Sequence, residues 1–298
     1  MQQRGLALAE GKSPFDRPGR RRQLLDLRDH GSFWISGTSD ELRATTEQHP
    51  KGFPGIDHPL WLHQVQYVSE EGELLKRINL LDVLYANNLQ RYIAKAYQPQ
   101  ADDSTPRTTD LLHLNDVEPL PASMADEYPL FDAGDLVVSL RKVDLVFVFD
   151  PDTETVKWHT SDPLIMQHDP DFIGDGWIGI YDNSKHFGAR GGMLQGSRIV
   201  AVQPHTDSVE IRLPTPTSEP FYTQAQGKWQ QLPNGNILLA ESKSGRVAEV
   251  APDRQTVWEW IIEPYSDSKV SRVMTAVRHD LRPEDVSSWP CSSTDTPQ

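Results

Sequence analysis

A histidine at the start of a short strand is the residue of this chain best placed to carry out chemistry. His168 lies in the stretch 166–172, which is followed by a turn over residues 174–176. A second apolar strand then runs to Asp182 and Asn183. Histidine can act as a base, a metal ligand or a nucleophile, although a lone histidine is more often structural. His168 is therefore the first candidate for a reactive centre.

Polar side chains near the ends of neighbouring strands form a second set of candidates. His113 and Asn115 lie two apart in a strand expected over 111–120, and a period of two places them on one face. Hydrogen bonding of both to a neighbouring loop is an equally weighted alternative. Arg141 ends the next strand, and its planar guanidinium suits a tetrahedral oxyanion, although a surface charge explains it better in isolation. Asn183, with the residue before it, is best explained locally by an Asx turn.

A metal centre is a weaker explanation of the histidines. His113 and His168 would need a further ligand, which His186 could supply, and no His-x-His or His-Glu-x-x-His spacing is present. The sequence also lacks a Gly-rich phosphate loop, a G-x-S-x-G elbow and a dinucleotide fingerprint. We therefore expect no metal and no organic cofactor. A metal-dependent hydrolase built on the three histidines is the third-ranked alternative.

The composition limits the possible partners. The 298 residues include 29 Lys and Arg against 43 Asp and Glu, a net charge of −14. We therefore expect no nucleic acid or anionic membrane as a partner, whereas a local positive pocket for a small anion stays possible. Cys291 is the single cysteine, which excludes an intrachain disulfide and a cysteine-based zinc site. The sequence shows no signal peptide or membrane segment, and localisation is left open.

Strand patterns and turn residues predict an all-β fold. Sets of four short strands recur three times after residue 110, with a repeat of roughly 40 to 60 residues, and a further set is expected over 24–78. Four-stranded repeats without crossover helices favour a β-propeller over a sandwich or an α/β fold. Four blades are recognised, with room for an incomplete propeller or for up to six. Apolar residues at helical spacing predict one inserted helix over 80–97.

The expected organisation has three parts. Residues 1–23 form an irregular N-terminal segment, 24–264 the propeller and 265–298 a C-terminal tail that is partly disordered. Several tryptophans at strand positions are expected to pack between blades: Trp158, Trp177, Trp229, Trp258 and Trp260. Trp229 differs from the others because it occupies a first-strand position, like His113 and His168.

Four motifs occur in order along the chain: His113-Leu114-Asn115-Asp116-Val117, Ser139-Leu140-Arg141, Gln167-His168-Asp169-Pro170 and Tyr181-Asp182-Asn183. Set together, they resemble the bacterial arylsulfotransferase (arylsulfate sulfotransferase) family. The resemblance covers residues 24–262, is strongest over 110–262, and extends to a turn of a later blade at 232–236.

The resemblance implies a β-propeller enzyme that moves a sulfuryl group from a phenolic sulfate ester to another phenol. The family needs no nucleotide sulfate donor (PAPS). By resemblance, His168 would be the nucleophile that becomes transiently sulfated, and His113, Asn115 and Arg141 would bind the sulfuryl oxygens. Asn183 is grouped with these substrate-binding residues. The implied partners are an aryl sulfate donor and a phenolic acceptor.

The sequence departs from the family pattern in three places. The family has a further histidine in an early blade, and His63 is the only strand histidine of that region here. Ser184 follows Asn183 where glycine would be more usual. Family members are commonly exported or membrane-anchored, and this chain shows neither signal. The rival hypothesis is a non-catalytic propeller that has lost activity and binds a ligand or a protein.

Overall fold

Four antiparallel sheets, each of four strands, account for most of the regular structure. The computed structural model describes residues 56, 59–60, 62–69, 72–97, 110–185, 196–266, 269–279 and 281–287, together with the backbone of strands at 23–24, 32–38 and 43–44. The N-terminal segment expected over 1–23 therefore lies outside the described residues, apart from the backbone of Gln23. The last residues of the expected tail lie outside them as well.

Each sheet is one blade, and its strands are neighbours in sequence order. Blade 1 contains β1 (Gln23–Leu24), β2 (Ser32–Thr38), β5 (His63–Ser69) and β6 (Leu74–Asn79), with a ribbon of β3 (Arg43–Ala44) and β4 (Pro59–Leu60) inserted. Blade 2 contains β7 (Leu114–Pro119), β8 (Leu136–Leu140), β9 (Leu145–Asp150) and β10 (Thr155–Thr160). Blade 3 contains β11 (His168–Phe172), β12 (Ile178–Asp182), β13 (Arg198–Gln203) and β14 (Ser208–Leu213). Blade 4 contains β15 (Lys228–Gln231), β16 (Ile237–Glu241), β17 (Arg246–Val250) and β18 (Thr256–Ile261).

The middle strands of blades 2 to 4 are buried on both faces. Every residue of β8, β12 and β16 is buried. Blades 2 and 3 each pack between two blades, whereas blade 4 packs on blade 3 and on the C-terminal segment around Val273. The first strands meet: β7 lies beside β11, and β11 lies beside β15. This arrangement of four-stranded meanders with converging first strands confirms the predicted all-β propeller.

The helical insert is present but is interrupted. Instead of one helix over 80–97, the chain forms α1 (Leu80–Ala86) and α2 (Gln90–Ala96). The side chain of Asn87 donates to the carbonyl of Val83 at 2.8 Å, and Asn88 has a φ of 60°. Asparagine tolerates this left-handed conformation, which ends α1. The apolar faces of both helices pack in the core shared with blades 1 and 2.

The first strand of blade 2 begins later than predicted. It starts at Leu114, and His113 precedes it with a φ of 55°. The pairing with β8 shifts between Leu114 and Asp116, so that Asn115 occupies a bulge. The expectation that His113 and Asn115 share a strand face by alternation is therefore wrong.

The tryptophans divide between core and surface. Trp229 is 4% exposed and packs against blade 3, where a Cβ at Gly179 would overlap its indole ring. Trp258 and Trp260 are 50% and 49% exposed, because β18 is the outermost strand of blade 4. The expected packing of these two between blades is wrong.

The C-terminal segment that follows blade 4 has little regular structure. Residues 269–279 run along blade 4, where the amide of Val273 donates to the carbonyl of Ser242 at 3.1 Å. A short helix, α3 (Pro283–Val286), follows. Among the described residues, no helix has the length and apolar character needed to cross a bilayer.

A cluster of charged side chains links the converging strands of blades 2, 3 and 4. The ammonium group of Lys228 on β15 contacts the carboxylate of Asp169 and lies 3.4 Å from that of Asp116. Both carboxylates are 1% exposed. Burial alone would lower the pKa of Lys228, but these two aspartates outweigh it and hold the pKa well above its usual value. Lys228 is therefore the cation that balances this part of the core.

Two further carboxyl groups extend the same cluster. Burial raises the pKa of Glu118 to about 7, and burial followed by the charge of Glu118 raises that of Asp171 well above its usual value. Two carboxyl groups that bond to each other in a desolvated site share one proton near neutral pH.

The variant Lys228→Met should lower the free energy of unfolding by about 3–5 kcal/mol, because Asp169 and Asp116 would stay buried without their cation. Urea unfolding measures this loss. Lys76→Met is the control, since Lys76 pairs with Asp152, which is 89% exposed. The control should lose no more than about 1 kcal/mol. Equal losses in the two variants would contradict the structural role of Lys228.

Candidate functional site

A bulge at the start of β11 sets the direction of His168. The pairing with β12 shifts between His168 and Pro170, and Asp169 has a φ of 52°. Besides its ion pair with Lys228, the Asp169 carboxylate accepts from the amide of Trp229 at 2.7 Å. The carbonyl of Asp169 accepts from the indole Nε1 of Trp229 at 3.1 Å. These contacts with blade 4 stabilise the bulge, which turns the side chain of His168 into the site.

The imidazole of His168 is held at both nitrogens. Its Nδ1 lies 2.5 Å from Oδ1 of Asn183, and its Nε2 accepts from the backbone amide of Gln226 at 3.1 Å. The Asn183 amide nitrogen donates to the carbonyls of Thr223 at 2.9 Å and Gln226 at 2.8 Å. Because both donor hydrogens of Asn183 are used there, its Oδ1 must face His168. The Nδ1 atom therefore carries the proton, and Nε2 carries the lone pair.

The expected Asx turn is formed by the residue before Asn183. Oδ1 of Asp182 accepts from the amide of Ser184 at 3.1 Å, and its carboxylate pairs with Arg198. The structure therefore assigns the turn to Asp182 and brings Asn183 to His168.

His168 is kept neutral by its surroundings. Its side chain is 8% exposed, and burial, then the charge of Arg141, lowers its pKa to about 3. The charge of His113 lowers this pKa further, so Arg141 and His113 lie within electrostatic reach of the ring. At neutral pH, Nε2 of His168 is unprotonated, which is the form that a nucleophile or a base requires, and its lone pair accepts from the amide of Gln226.

The protein should lose stability on acidification through His168, and His168→Gln should remove this part of the loss. The unfolded chain takes up a proton near pH 6.5, whereas the folded state does so only near pH 3. The unfolded state therefore binds more protons between these values, and stability falls as the pH falls, by up to about 1.4 kcal/mol per pH unit. Urea unfolding of both proteins at about pH 7 and about pH 4.5 measures the difference. Parallel pH dependences in the two proteins would contradict the neutral, buried state of His168.

Arg141 lies in the turn that follows β8. Its side chain is 9% exposed, and its Nε is buried without a hydrogen-bond partner in the described part of the chain. Burial lowers the pKa of Arg141, while the charges of Asp110 and Asp144 oppose this effect. A buried guanidinium with an unused donor is a group to which an oxyanion can bind.

Further cations lie near Arg141 on this side of the propeller. Burial, followed by the charges of Arg272, Lys185 and Arg141, lowers the pKa of Lys243. The ammonium group of Lys243 donates to Oε1 of Gln224 at 3.0 Å, in the segment that caps His168. A local positive potential therefore exists beside His168 in a protein with a net charge of −14.

His113 and His63 converge on an aspartate that the sequence analysis did not single out. Oδ1 of Asp110 lies 2.9 Å from Nε2 of His63, and Oδ2 lies 2.5 Å from Nδ1 of His113. His63 is 3% exposed. Its Nε2 lies 3.3 Å from the backbone amide of His113. The one signal for Asp110 in the sequence was its place three residues before His113.

Asn115 contacts the backbone beside His168. Its amide nitrogen donates to the carbonyl of Gln167 at 2.7 Å, and its Oδ1 is buried without a partner among the described residues. Asn115 thus lies next to His168, although through the bulge in β7 and not through the predicted strand alternation. Gln226, whose backbone amide caps Nε2 of His168, gave no signal in the sequence, because a backbone donor has no residue-type signature.

The structure offers little to a metal at the histidines. Within the described ranges, the one group of three metal-type ligands is Asp116, Asp169 and Asp171, with oxygen atoms within 4.8 Å of one another. The ammonium group of Lys228 already contacts two of these carboxylates. His186, the third histidine of the hydrolase alternative, lies outside the described residues.

The blades and the residues where they converge define a β-propeller with a polar, partly cationic centre. The model of the arylsulfotransferase (ASST) family Arylsulfotran_2 matches residues 27–263. The chain therefore belongs to the arylsulfotransferase family, and this membership supports a transferase that moves sulfuryl groups.

Comparisons with individual proteins add only distant similarity. No curated protein matches the chain significantly. A protein of unknown function from Bacteroides caccae is 11% identical, with a TM-score of 0.48, over 82% of this chain and 68% of that one. Virginiamycin B lyase from Staphylococcus aureus is 12% identical, with a TM-score of 0.37, over 85% and 59%. The WD40 β-propeller domain of Doa1 is 12% identical, with a TM-score of 0.37, over 78% and 62%.

Proposed function

We propose that this chain transfers a sulfuryl group from a phenolic sulfate ester to a phenol, without PAPS, through a sulfohistidine intermediate on His168. The observation that carries the proposal is the state of this histidine, which is neutral, has its proton on Nδ1 and has its lone pair on Nε2. A neutral imidazole is a competent nucleophile at neutral pH.

The reaction has two displacements at sulfur. Nε2 of His168 attacks the sulfur, the N–S bond forms, and the S–O bond to the donor breaks, with its electron pair leaving on the phenolate. The oxygen of the acceptor phenol then attacks the sulfur, the N–S bond breaks, and the imidazole regains its lone pair. Over the whole cycle, the acceptor loses one proton and the departing phenolate gains one. This sequence gives ping-pong kinetics.

The cations beside His168 supply the electrostatic stabilisation. The Nε of the Arg141 guanidinium, which has no partner in the described part of the chain, is available to the sulfuryl oxygens, on which charge develops in the transition state. His113, which lies within electrostatic reach of the His168 ring, also binds the sulfuryl oxygens. Lys243 and its cationic neighbours favour the approach of an anionic aryl sulfate.

Asn183 and Asn115 act on the protein more than on the substrate. Asn183 donates both amide hydrogens to backbone carbonyls and its oxygen accepts from Nδ1 of His168, so Asn183 orients the nucleophile. Among the described residues, one amide hydrogen and the oxygen of Asn115 have no partner after its bond to Gln167. Asn115 is therefore the one of the two with capacity left for a sulfuryl oxygen.

The release of p-nitrophenol from p-nitrophenyl sulfate, with and without an added phenol and without PAPS, tests the proposal. Release by the wild type should increase with the acceptor, and His168→Ala should reduce kcat at least about a thousandfold, since it removes the nucleophile. His205→Ala, at an exposed turn of blade 3, is the matched control and should keep wild-type activity. After reaction with the donor alone, mass spectrometry should find one added sulfuryl group on the His168 peptide.

A folded wild type that releases no p-nitrophenol from several aryl sulfates would contradict the proposed sulfuryl-transfer activity. The alternative is then a propeller that binds a ligand without chemistry. One observation favours it: the amide of Gln226 occupies the lone pair of Nε2 at 3.1 Å, and His168 is 8% exposed. Calorimetric binding of p-nitrophenyl sulfate without turnover would support this second function.

Arg141→Met should lower kcat/KM about a hundredfold, because it removes the guanidinium from the developing charge on the sulfuryl oxygens. Arg141→Lys should recover part of this loss, since it restores the charge but not the planar fork. Steady-state kinetics with p-nitrophenyl sulfate measure both variants. Wild-type values for Arg141→Met would exclude Arg141 from the site.

A further inference from the structure

Asp110 makes several polar contacts beside the site that the proposed transfer reaction does not explain. Each of its carboxylate oxygens lies against one histidine: Oδ1 against His63 of blade 1, and Oδ2 against His113. The ammonium group of Lys142 lies 3.3 Å from Oδ2 and donates to the carbonyl of Asp110 at 2.6 Å. Asp110 thus joins blade 1, the start of blade 2 and the turn that carries Arg141.

Asp110 is ionised in this arrangement. Burial by itself would raise its pKa, but the hydrogen bonds from His113 and His63 and their charges outweigh burial and hold the pKa well below its usual value. A carboxylate accepts hydrogen bonds and donates none. Each ring nitrogen in contact with Asp110 must therefore carry a hydrogen.

The same reasoning assigns the nitrogen that carries the hydrogen in each of the two imidazoles. His113 carries its hydrogen on Nδ1, which leaves Nε2 directed away from Asp110 on a side chain that is 29% exposed. His63 carries its hydrogen on Nε2, at 2.9 Å from the carboxylate, although the backbone amide of His113 also lies 3.3 Å from this nitrogen. The contact with the carboxylate is shorter and charge-assisted, and it decides the assignment.

The backbone holds His113 in this position as well. The amide of Arg141 donates to the carbonyl of His113 at 3.1 Å, and the amide of Lys142 donates to the carbonyl of Leu112 at 3.1 Å. The positive φ of His113 brings its ring back over Asp110. The ring and the guanidinium of Arg141 are therefore carried by one hydrogen-bonded unit next to His168.

We infer that Asp110 is a positioning residue of the sulfuryl-transfer site: its carboxylate fixes the orientation and the tautomer of His113 and His63, and so presents Nε2 of His113 to the substrate. This inference rests on the proposed function for its consequence in catalysis, but the placement of the two rings stands independently of it. In catalytic triads and metal sites, a carboxylate likewise accepts a hydrogen bond from one ring nitrogen of a histidine and so orients the other nitrogen.

The variant Asp110→Asn tests the inference sharply. An amide offers one acceptor and one donor side to the two rings, whereas the carboxylate offers two acceptors. One of the two histidines must then exchange its tautomer or lose its bond. Long-range proton–nitrogen NMR correlations of protein with labelled imidazoles identify the protonated nitrogen of each ring. We expect His113 with Nδ1–H and His63 with Nε2–H in the wild type, and a changed tautomer of one of them in Asp110→Asn.

Activity gives the second measurement. With p-nitrophenyl sulfate and a phenol acceptor, Asp110→Asn should lower kcat about 10- to 100-fold with a smaller change in KM, because the ring is misplaced and not removed. Asp110→Glu keeps two acceptor oxygens and should recover part of the rate. Asp152→Asn, in an exposed ion pair with Lys76, is the matched control and should change neither the kinetics nor the tautomers.

The possible outcomes separate the two proposals. The positioning role is overturned if Asp110→Asn loses activity while both tautomers are unchanged. It is also overturned if the wild type is active and Asp110→Asn keeps the full wild-type activity. If the wild type transfers no sulfuryl group but Asp110→Asn still changes a tautomer, sulfuryl transfer is contradicted and the placement of the histidines by Asp110 is supported.

Discussion

The ion pair between Asp169 and Lys228 is the interaction on which the geometry of the site depends. Asp169 is the residue after His168, and its left-handed backbone turns the strand so that His168 faces the centre while the carboxylate faces blade 4. This conformation is unfavourable for a residue other than glycine. The buried bonds to Lys228 and Trp229 compensate for it. The position of His168 is thus a consequence of packing between blades and not of blade 3 alone.

Two histidines of the site have opposite environments. His168 is buried beside the neutral amide of Asn183, with cations nearby, and so its ring stays neutral. His113 is partly exposed, and its Nδ1 bonds to the ionised carboxylate of Asp110. The two rings therefore differ in the group that faces Nδ1, which is a neutral amide at His168 and a carboxylate at His113.

The sequence allowed the blades to be predicted because their signals are local. Apolar runs, Gly turns and the spacing of the repeats located the strands, and His168 was placed correctly at the start of β11. The failures concern features without a local period. The bulge at Asn115 and the turn at His113 depend on pairing with β8, the break in the helix depends on one asparagine side chain, and the exposure of Trp258 depends on which strand is outermost. Asp110 and Gln226 contribute through contacts with other blades, which no spacing within the sequence encodes.

The contact between Gln226 and His168 imposes an order on any reaction at this site. The backbone amide of Gln226 donates to the lone pair that would form the N–S bond in the proposed transfer, so this hydrogen bond would have to break before sulfur could approach. The carbonyl of Gln226 is held by Asn183, which also fixes the proton of His168. A displacement of the segment that carries Gln226 would therefore free Nε2 and loosen one of the two bonds of the Asn183 amide. The bond from the Asn183 amide to the carbonyl of Thr223 would remain and would keep Oδ1 of Asn183 directed at the ring. Nε2 of His168 could then become accessible while the proton stays on Nδ1.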